Sequence, residues 1–517
     1  MKLKISVLVS VCFLGIACCW PYCVYAKKNT PEKKPNIIYI LADDLGYGEL
    51  GCYGQKYIET PNIDQLARDG IRFTDHYAGA PVCAPSRCTL LTGMHTGHAS
   101  IRGNDIWKER GDTGNYLAML ADSTLEGQRP MPAETITIGK LLKTVGYTTG
   151  MVGKWGLGAP NTKSTPGKQG FDYFYGYNCQ RQAHTYYPLH LYENEHRVYL
   201  DNDTVAPNTK LKSTADPYAE VSYSDYTLNV YAPDTLYNEM IRFIEHADGH
   251  PFFMYWATPL PHTPLQAPKK WIDYYVDKFG DEEPYRGNKG YFPARYPRAT
   301  YAAMISCLDE RIGQLIAKLK ELNQYDNTII IFTSDNGPTY TGGADNNFFN
   351  SGGPFKSDYG RGKGFLYEGG IRVPMIASWP DKIKGGSISN HISAFWDVLP
   401  TLCDVTGVKS PKGIDGISFL PELHGQTNQK KHKYFYWEFP ANKGQQAVRM
   451  DNWKAIRRDI FKGNMAIELY DLSIDLRELD NVADKHPDIV KQIEKIMLEA
   501  HSPSQISKFK MKQLGDK

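Results

Sequence analysis

The chain has 517 residues, and its 59 lysines and arginines nearly balance 57 aspartates and glutamates, leaving a formal net charge of +2 at neutral pH. A chain of this length buries a large core, either as one long α/β unit or as two or three domains. The near-zero charge gives no electrostatic reason to expect nucleic acid or an anionic membrane as the main partner. Any recognition of anions must therefore be local.

The first 26 residues have the features of a secretory signal. Lys2 and Lys4 precede an apolar stretch, and small residues stand near Ala26, where a signal peptidase would cut. We predict a secreted, periplasmic protein whose mature chain begins near Lys27 and has no transmembrane segment. A membrane anchor and a lipoprotein attached at Cys18 are the alternatives. The apolar stretch is short for a bilayer span, and the residues before Cys18 form a poor lipobox.

Six of the ten cysteines lie after this segment. They are Cys52, Cys83, Cys88, Cys179, Cys307 and Cys403. An even number in an oxidising compartment permits disulfides without requiring them, and the pairing cannot be read from the sequence. No two of the six have the close spacing of a structural zinc site. Cys83, in the run CAPSR, therefore needs its own explanation.

Five short apolar runs predict buried strands. None of them alternates apolar with polar residues, which suits strands covered on both faces, as in a mostly parallel sheet. The runs span residues 36–41, 147–152, 251–257, 328–333 and 373–379. Helical patterns lie between them, for example from Thr60, a residue suited to an N-cap, to Gly70, a residue suited to a helix end. The alternation predicts an α/β fold with helices on both faces of a mostly parallel central sheet.

The pattern changes after residue 425. Residues 431–510 contain short runs typical of antiparallel strands, followed by a helical pattern near residues 486–500. We predict a main domain over residues 27–425 and a smaller C-terminal subdomain, an antiparallel sheet with a helix, over residues 431–510.

Polar residues follow the predicted strands directly. Asp43 and Asp44 come after the first run, and Asp335 and Asn336 come after the fourth. Ligands of an open α/β sheet bind beyond the carboxyl ends of the strands. Three carboxylates there would repel one another without a cation, and oxygen ligands favour calcium, with magnesium second. Either pair alone could be ordinary turn chemistry.

Four cationic residues complete the predicted site. They are Arg87, Lys154, His262 and Lys363, and each could face an anion held on the metal. Taken singly, the lysines and the arginine could be solvated surface residues, and the histidine could cap a loop. Together with the metal they predict a site for a tetrahedral oxyanion ester.

The motifs in this order resemble those of the type I sulfatases of the alkaline phosphatase superfamily. In that family the cysteine of C-x-P-x-R, here Cys83, is converted to formylglycine (3-oxoalanine). The resemblance covers nearly the whole mature chain, with residues 27–425 as its catalytic domain. It rests on Asp43-Asp44, residues 83–93, Gly153-Lys154-Trp155, Pro261-His262-Thr263, Asp335-Asn336-Gly337 and Lys363.

The resemblance implies a role for each matched residue. Asp43, Asp44, Asp335, Asn336 and the converted Cys83 would bind calcium, and Arg87 would hold the formylglycine. Lys154 and Lys363 would bind the sulfate oxygens, and His262 would protonate the departing alcohol oxygen. A formylglycine-generating enzyme is implied as a partner, because it must act on Cys83.

One departure from the family pattern concerns a histidine. Many members read G-K-W-H-L-G, whereas this chain has Gly156 in place of that histidine. The base that breaks down the sulfated hemiacetal is then missing. Either His262 or Lys154 serves both steps, or another histidine, such as His184 or His95, takes the place.

The run YNCQRQAHTYYP at residues 177–188 bears on the substrate. It suits stacking and hydrogen bonding to a sugar, although it could equally be a tyrosine-rich packing loop. Together with G-K-W-G-L-G at residues 153–158, it resembles a subset of bacterial carbohydrate sulfatases described as arylsulfatases or N-acetylgalactosamine sulfatases. The implied substrate is a sulfated glycan, with galactose or N-acetylgalactosamine 4-O-sulfate ahead of 6-O-sulfate. Arg181 and His184 are the candidate substrate contacts.

Two other functions compete with this interpretation. A phosphodiesterase or phosphatase of the same superfamily would share the fold and the metal edge, but would use serine or threonine as nucleophile and usually two zinc ions. A non-catalytic glycan-binding homologue is supported only by Gly156.

Overall fold

The computed structural model describes residues 33–247 and 249–517, together with Leu8. Apart from Leu8, the predicted secretory signal at residues 1–26 lies outside the described residues. Within the described part of the chain, none of the helices is both long and apolar enough to cross a membrane.

The main sheet has eleven strands, in the spatial order β10-β2-β9-β8-β1-β7-β3-β4-β5-β6, with β11 also pairing with β2. The strands are β1 (Asn36–Ala42), β2 (Ile71–Tyr77), β3 (Thr148–Lys154), β4 (Tyr173–Tyr177), β5 (His190–Glu193), β6 (His196–Tyr199), β7 (Phe252–Ala257), β8 (Thr328–Ser334), β9 (Arg372–Ser378), β10 (Ser387–Ser389) and β11 (Ser393–Ala394). The central run β8-β1-β7-β3-β4 is parallel, which confirms the predicted mostly parallel sheet. The last of the five predicted runs, now β9, instead pairs antiparallel with β8 and β2.

Helices cover both faces of this sheet, as predicted. The helices of the described residues are α1 (Pro61–Asp69), α2 (Cys83–Thr92), α3 (Tyr116–Ala121), α4 (Ile138–Lys143), α5 (Ala232–Glu245), α6 (Lys269–Phe279), α7 (Pro297–Glu321), α8 (Asn346–Phe349), α9 (Glu368–Ile371), α10 (Val398–Thr406), α11 (Leu420–Leu423) and α12 (Pro487–Glu499). Successive β1 side chains point to opposite faces. Ile38 and Ile40 pack in the core that holds α5 and α7, whereas Ile37 and Leu41 pack in the core that holds α2 and α10.

A separate antiparallel sheet follows near the C-terminus. It consists of β12 (Phe435–Phe439), β13 (Gln445–Met450), β14 (Trp453–Arg458) and β15 (Glu468–Asp471), in sequence order. Ile493 and Met497 of α12 pack on one face, and Trp437 of the other face joins a cluster that includes Trp396. The predicted sheet and helix are confirmed, while the exact domain limits at 425 and 431 stay a prediction.

The small sheet holds the loop that carries Lys363. Gln445 Nε2 donates to Gly364 O at 2.9 Å, and Leu366 N donates to Gln445 Oε1 at 3.2 Å. Asn442 Nδ2 donates to the same Gly364 carbonyl at 2.8 Å. Because three hydrogen bonds fix the chain within three residues of Lys363, the C-terminal sheet determines where this lysine stands.

Candidate active site

The ends of β1 and β8 bring the predicted acidic residues together. The two strands are paired in register, with Ala42 opposite Ser334, so Asp43 and Asp335 lie just beyond the same sheet edge. The Asp335 N–H donates to Ala42 O at 3.0 Å, and the Asp44 N–H donates to Asp335 Oδ1 at 3.1 Å. These backbone contacts fix three carboxylates side by side.

Helix α2 brings Cys83 and Arg87 to this edge. The helix begins at Cys83, so Arg87 lies one turn later on the same face. Cys83 Sγ is 3.4 Å from Asp43 Oδ1 and 3.5 Å from Lys154 Nζ. Arg87 Nη2 donates to Asp335 Oδ2 at 2.9 Å and to Asp43 Oδ2 at 3.2 Å. All five side chains belong to residues no more than 2% exposed.

Cys88 is excluded from the site although it lies on the same helix. Its position is five residues after Cys83, and its Sγ lies 3.9 Å from Met131 Sδ and 4.0 Å from Ser100 Oγ. The two cysteines of the motif therefore have different surroundings, and only Cys83 faces the acidic edge.

Two lysines neutralise part of the acidic edge. Lys154 Nζ donates to Asp43 Oδ2 at 2.5 Å, and Lys363 Nζ donates to Asp44 Oδ2 at 2.6 Å. Burial alone would raise the pKa of Asp43, but Lys154 and the neighbouring cations hold this pKa below its usual range. Burial and the charge of Asp43 raise the pKa of Asp335 to about 6. The three buried carboxylates thus lie next to three cationic side chains, those of Arg87, Lys154 and Lys363.

The donor set at this edge fits a hard divalent cation. Asp43, Asp44, Cys83 and His262 each offer one ligand atom, and these atoms lie within 4.8 Å of one another. Asn336 Nδ2 donates to Asp44 Oδ1 at 2.7 Å. The buried Oδ1 of Asn336 has no hydrogen-bond partner among the described residues. Together with the neighbouring carboxylates, this unpartnered oxygen is the kind of ligand that a hard divalent cation requires.

His262 adds to the same pattern. Its Nδ1 donates to Thr263 O at 2.5 Å, so in the neutral ring Nε2 presents a lone pair toward Asp44 Oδ2, 3.6 Å away. Burial, followed by the charges of Lys363 and Lys154, lowers the pKa of His262 well below its ordinary value. Two acceptors facing each other are unfavourable unless a cation or a proton lies between them.

His184 joins the site, whereas Arg181 turns to a neighbouring segment. The His184 ring stacks on that of His262 with centroids 5.3 Å apart and planes 11° apart. Burial and the adjacent imidazole lower the pKa of His184 well below its usual value. Arg181 Nη1 donates to Thr113 O at 3.2 Å. The structure therefore places one of the two candidate substrate contacts directly beside His262.

Gln180 fills the space that a side chain at position 156 would occupy. Gly156 has a φ of +74°, and an added Cβ would lie 2.7 Å from Gln180 Cγ and Nε2. The Gln180 Nε2 is buried and has no hydrogen-bond partner within the described ranges. The sequence does not identify Gln180, because neither Gly156 nor the run at 177–188 shows by itself that the two are in contact. Only the contact across 24 residues connects the two.

His95 is held away from the site. It follows the C-terminal end of α2, whereas Cys83 begins that helix, and ten helical residues span about 15 Å. Its ring stacks on His98 with centroids 4.3 Å apart, and its Nε2 lies 3.6 Å from Asp415 Oδ1. Of the two histidines proposed to replace the missing one, only His184 is in place.

Comparison with known proteins agrees with the motifs. The Sulfatase family model matches residues 35–408, and the model of the N-sulphoglucosamine sulphohydrolase C-terminal region matches residues 360–502. Human N-acetylgalactosamine-6-sulfatase is 32% identical over 397 residues, which are 75% of this chain but only 66% of that enzyme, slightly under two thirds. Human arylsulfatase A is 31% identical over 437 residues, covering 82% of this chain and 75% of that enzyme.

Solved structures share the fold over almost the whole chain. The complex of Ps i-CgsB with k-i-k-neocarrahexaose superposes with a TM-score of 0.69 at 29% identity, covering 90% of this chain and 93% of that one. A Bacteroides thetaiotaomicron protein from a study of glycosaminoglycan metabolism gives a TM-score of 0.68 at 26% identity, covering 90% of this chain and 99% of that one. This chain belongs to the sulfatase family, within the alkaline phosphatase-like superfamily.

Proposed function

We propose that the protein hydrolyses O-sulfate esters of carbohydrates. The observation that carries the proposal is the position of Cys83. The cysteine of the C-x-P-x-R motif lies against Asp43 and Lys154, at the edge where three carboxylates and two lysines converge. A sulfatase needs a nucleophile, a cation site and donors for sulfate oxygens at one point, and this edge combines all three.

The cationic side chains would bind and orient the sulfate group. Lys154 and Lys363 each hold one carboxylate now, and an anionic ester would accept hydrogen bonds from both ammonium groups. Lys363 is the accessible member of the pair, since 18% of its side chain is exposed whereas that of Lys154 is 1% exposed. Arg87, fully buried and bound to two aspartates, would keep the residue at position 83 and the acidic edge in register.

A divalent cation and a modified Cys83 would supply the remaining chemistry. Asp43, Asp44, Asp335 and Asn336 would hold the cation together with the modified residue 83, and calcium is favoured because the set consists of oxygen donors. The cation would supply a Lewis acid, and the aldehyde hydrate of formylglycine would supply an oxygen nucleophile. Cys83 is 2% exposed in the folded chain. A formylglycine-generating enzyme must therefore act on it before folding is complete.

The two stacked histidines would act as the general acid and the general base. His262 Nε2 faces the acidic edge, where its lone pair would accept the proton that the attacking hydroxyl releases and then deliver it to the departing alcohol oxygen. The neutral imidazole of His184 stacks on His262 and would act as the base that Gly156 cannot provide. Gln180, with an unpaired amide N–H, would donate a hydrogen bond where many family members have their histidine.

Relatives support a saccharide as the substrate class. The human relative named above is an N-acetylgalactosamine-6-sulfatase, and the structure of Ps i-CgsB contains k-i-k-neocarrahexaose. We propose galactose or N-acetylgalactosamine sulfate for this chain. The preference for 4-O-sulfate over 6-O-sulfate stays a prediction, as do secretion and a periplasmic location.

A phosphonate monoester hydrolase of Agrobacterium radiobacter shares the fold, with a TM-score of 0.61 at 20% identity. That likeness concerns the fold alone. Cys83 in C-x-P-x-R argues against the phosphodiesterase or phosphatase of the sequence analysis, which would have serine or threonine as its nucleophile. The retention of Lys154, His262 and Lys363 argues against a non-catalytic homologue.

Substitution of Cys83 tests the proposed reaction. We expect Cys83→Ala to lower turnover of 4-O- and 6-O-sulfated galactose and N-acetylgalactosamine by about a thousandfold or more, because it removes the nucleophile. Cys88→Ala is the matched control and should retain turnover, since that thiol lies outside the site. Sulfate release and the melting temperature are measured together. Undiminished sulfate release by Cys83→Ala, or faster hydrolysis of a phosphate ester by the parent enzyme, would refute the proposal.

Replacement of His184 tests the proton-transfer assignment. We expect His184→Ala to lower kcat by about 10²- to 10⁴-fold, the usual contribution of a general acid or base. His95→Ala is the matched control, because His95 also stacks on a histidine but lies away from the site. The assignment fails if the two variants have the same kcat.

Removal of metal tests the cation site independently of activity. We expect calcium to raise the melting temperature of chelator-treated protein more than magnesium does, and calcium at 100 times its Kd contributes about 2.7 kcal/mol of stability. Asp335→Asn should abolish the shift. Asp415→Asn, which alters the His95–His98 cluster instead, should preserve it. A full calcium shift in Asp335→Asn would contradict the assigned ligands.

A further inference from the structure

Tyr291 has a backbone conformation that bulky residues rarely adopt. Its φ is +63°, in the left-handed region, and the preceding Gly290 has a φ of +85°. Glycine and asparagine occupy this region readily, whereas an aromatic residue there is an outlier. Such outliers persist only where the surroundings impose them, and they cluster at functional sites.

The surrounding chain imposes this conformation. Tyr285 and Ala294 close the base of the segment through paired backbone hydrogen bonds of 2.9 and 2.8 Å. Inside it, the Tyr285 hydroxyl accepts from Lys289 N at 3.0 Å and donates to the Gly290 carbonyl. Tyr291 N donates to Asn208 Oδ1 at 2.7 Å. The segment from Tyr285 to Ala294 is therefore a closed, internally bonded loop that holds Tyr291 at its tip.

The ring of Tyr291 lies against the two catalytic-site histidines. Its centroid is 5.2 Å from that of His184 and 5.7 Å from that of His262, with planes inclined by 67° and 77°. Behind the ring, a Cβ added at Gly342 would lie 2.8 Å from Tyr291 Cδ2. The backbone of Gly342 therefore lies so close to the ring that no side chain fits between them. The two imidazole rings are nearly parallel, and the phenol ring is steeply inclined to both. We call this arrangement of three rings the aromatic corner.

Tyr291 is less buried than the histidine that it contacts. Tyr291 is only half-buried, in contrast to His262, which is 3% exposed. Burial raises the pKa of its phenol, so the hydroxyl stays a neutral donor near Lys363 and Asp44. A partly exposed aromatic side chain thus lies next to the histidine that is the proposed proton donor.

We propose that Tyr291 is a specificity-determining residue that forms the wall of the subsite for the sugar ring bearing the sulfate. The inference rests on the proposed function. When the sulfate lies on Lys154 and Lys363 and the ester oxygen points to His262, the sugar ring must extend past this corner. The apolar C–H face of a pyranose packs favourably on an aromatic ring, whose face carries partial negative charge. The strained backbone is retained because it aims the ring at this face.

Two substitutions separate this role from a structural one. Tyr291→Asn removes the ring and keeps a residue suited to the left-handed backbone, and Tyr291→Phe keeps the ring and removes the hydroxyl. Tyr274→Ala, at an exposed tyrosine on α6, is the control. The readouts are KM and kcat for the sulfated monosaccharide that the parent enzyme cleaves best, inhibition by inorganic sulfate, and the melting temperature.

We expect Tyr291→Asn to raise KM about tenfold with kcat changed less than about threefold, since it removes binding shared by ground and transition states. Inhibition by inorganic sulfate should be unchanged, because free sulfate would bind at the two lysines and would not reach the ring at position 291. The melting temperature should be equal or higher because the backbone strain is relieved. Tyr291→Phe should keep KM within about twofold because the stacking face remains.

An unchanged KM in Tyr291→Asn, an equal loss of affinity for inorganic sulfate, or a phenylalanine variant as weak as the asparagine variant would overturn the assignment. In each of these cases the parent enzyme still cleaves the saccharide, so the proposed function stands. A parent enzyme that releases sulfate from no saccharide would overturn both proposals.

Discussion

The buried contact of Arg87 with Asp43 and Asp335 is the constraint on which the site depends. Three carboxylates in one buried site would be strongly unfavourable, because each buried ion costs several kcal/mol unless an opposite charge or hydrogen bonds compensate it. The guanidinium bonds two of them, and its own position is fixed by α2, the helix that also begins with Cys83. The same ion cluster therefore sets the position of the candidate nucleophile and keeps the acidic edge charged enough to hold a cation.

Lys154 and Lys363 relate this edge to the substrate. Both ammonium groups bond the aspartates at close range, yet they reach them from opposite parts of the chain, one from the end of β3 and the other from a loop fixed by the C-terminal sheet. A cation at the acidic edge would free both lysines for an anionic ester. The C-terminal sheet would thus be part of the proposed site, because it fixes the loop that carries Lys363.

The sequence was sufficient to predict which polar residues meet at the ends of the parallel strands. Asp43, Lys154 and Asp335 follow buried apolar runs, and the rule that parallel strands end at one edge was enough to bring them together. It was insufficient for contacts between loops. Gln180 reaches Gly156 and Tyr291 reaches His184 across stretches without periodicity, so no pattern in the chain reports them. The antiparallel direction of β9 is not predictable from its sequence either, because β9 is buried at every position and has the same continuous apolar run as the parallel strands.

The most direct test of the account is the chemical state of Cys83. Mass spectrometry of the tryptic peptide FTDHYAGAPVCAPSR, residues 73–87, is applied to protein made in its native host. The account predicts that Cys83 has lost its sulfur and two hydrogens and has gained an oxygen, the change from cysteine to formylglycine. An intact thiol in that peptide would contradict it, and the catalytic assignments around Cys83 would fall with it.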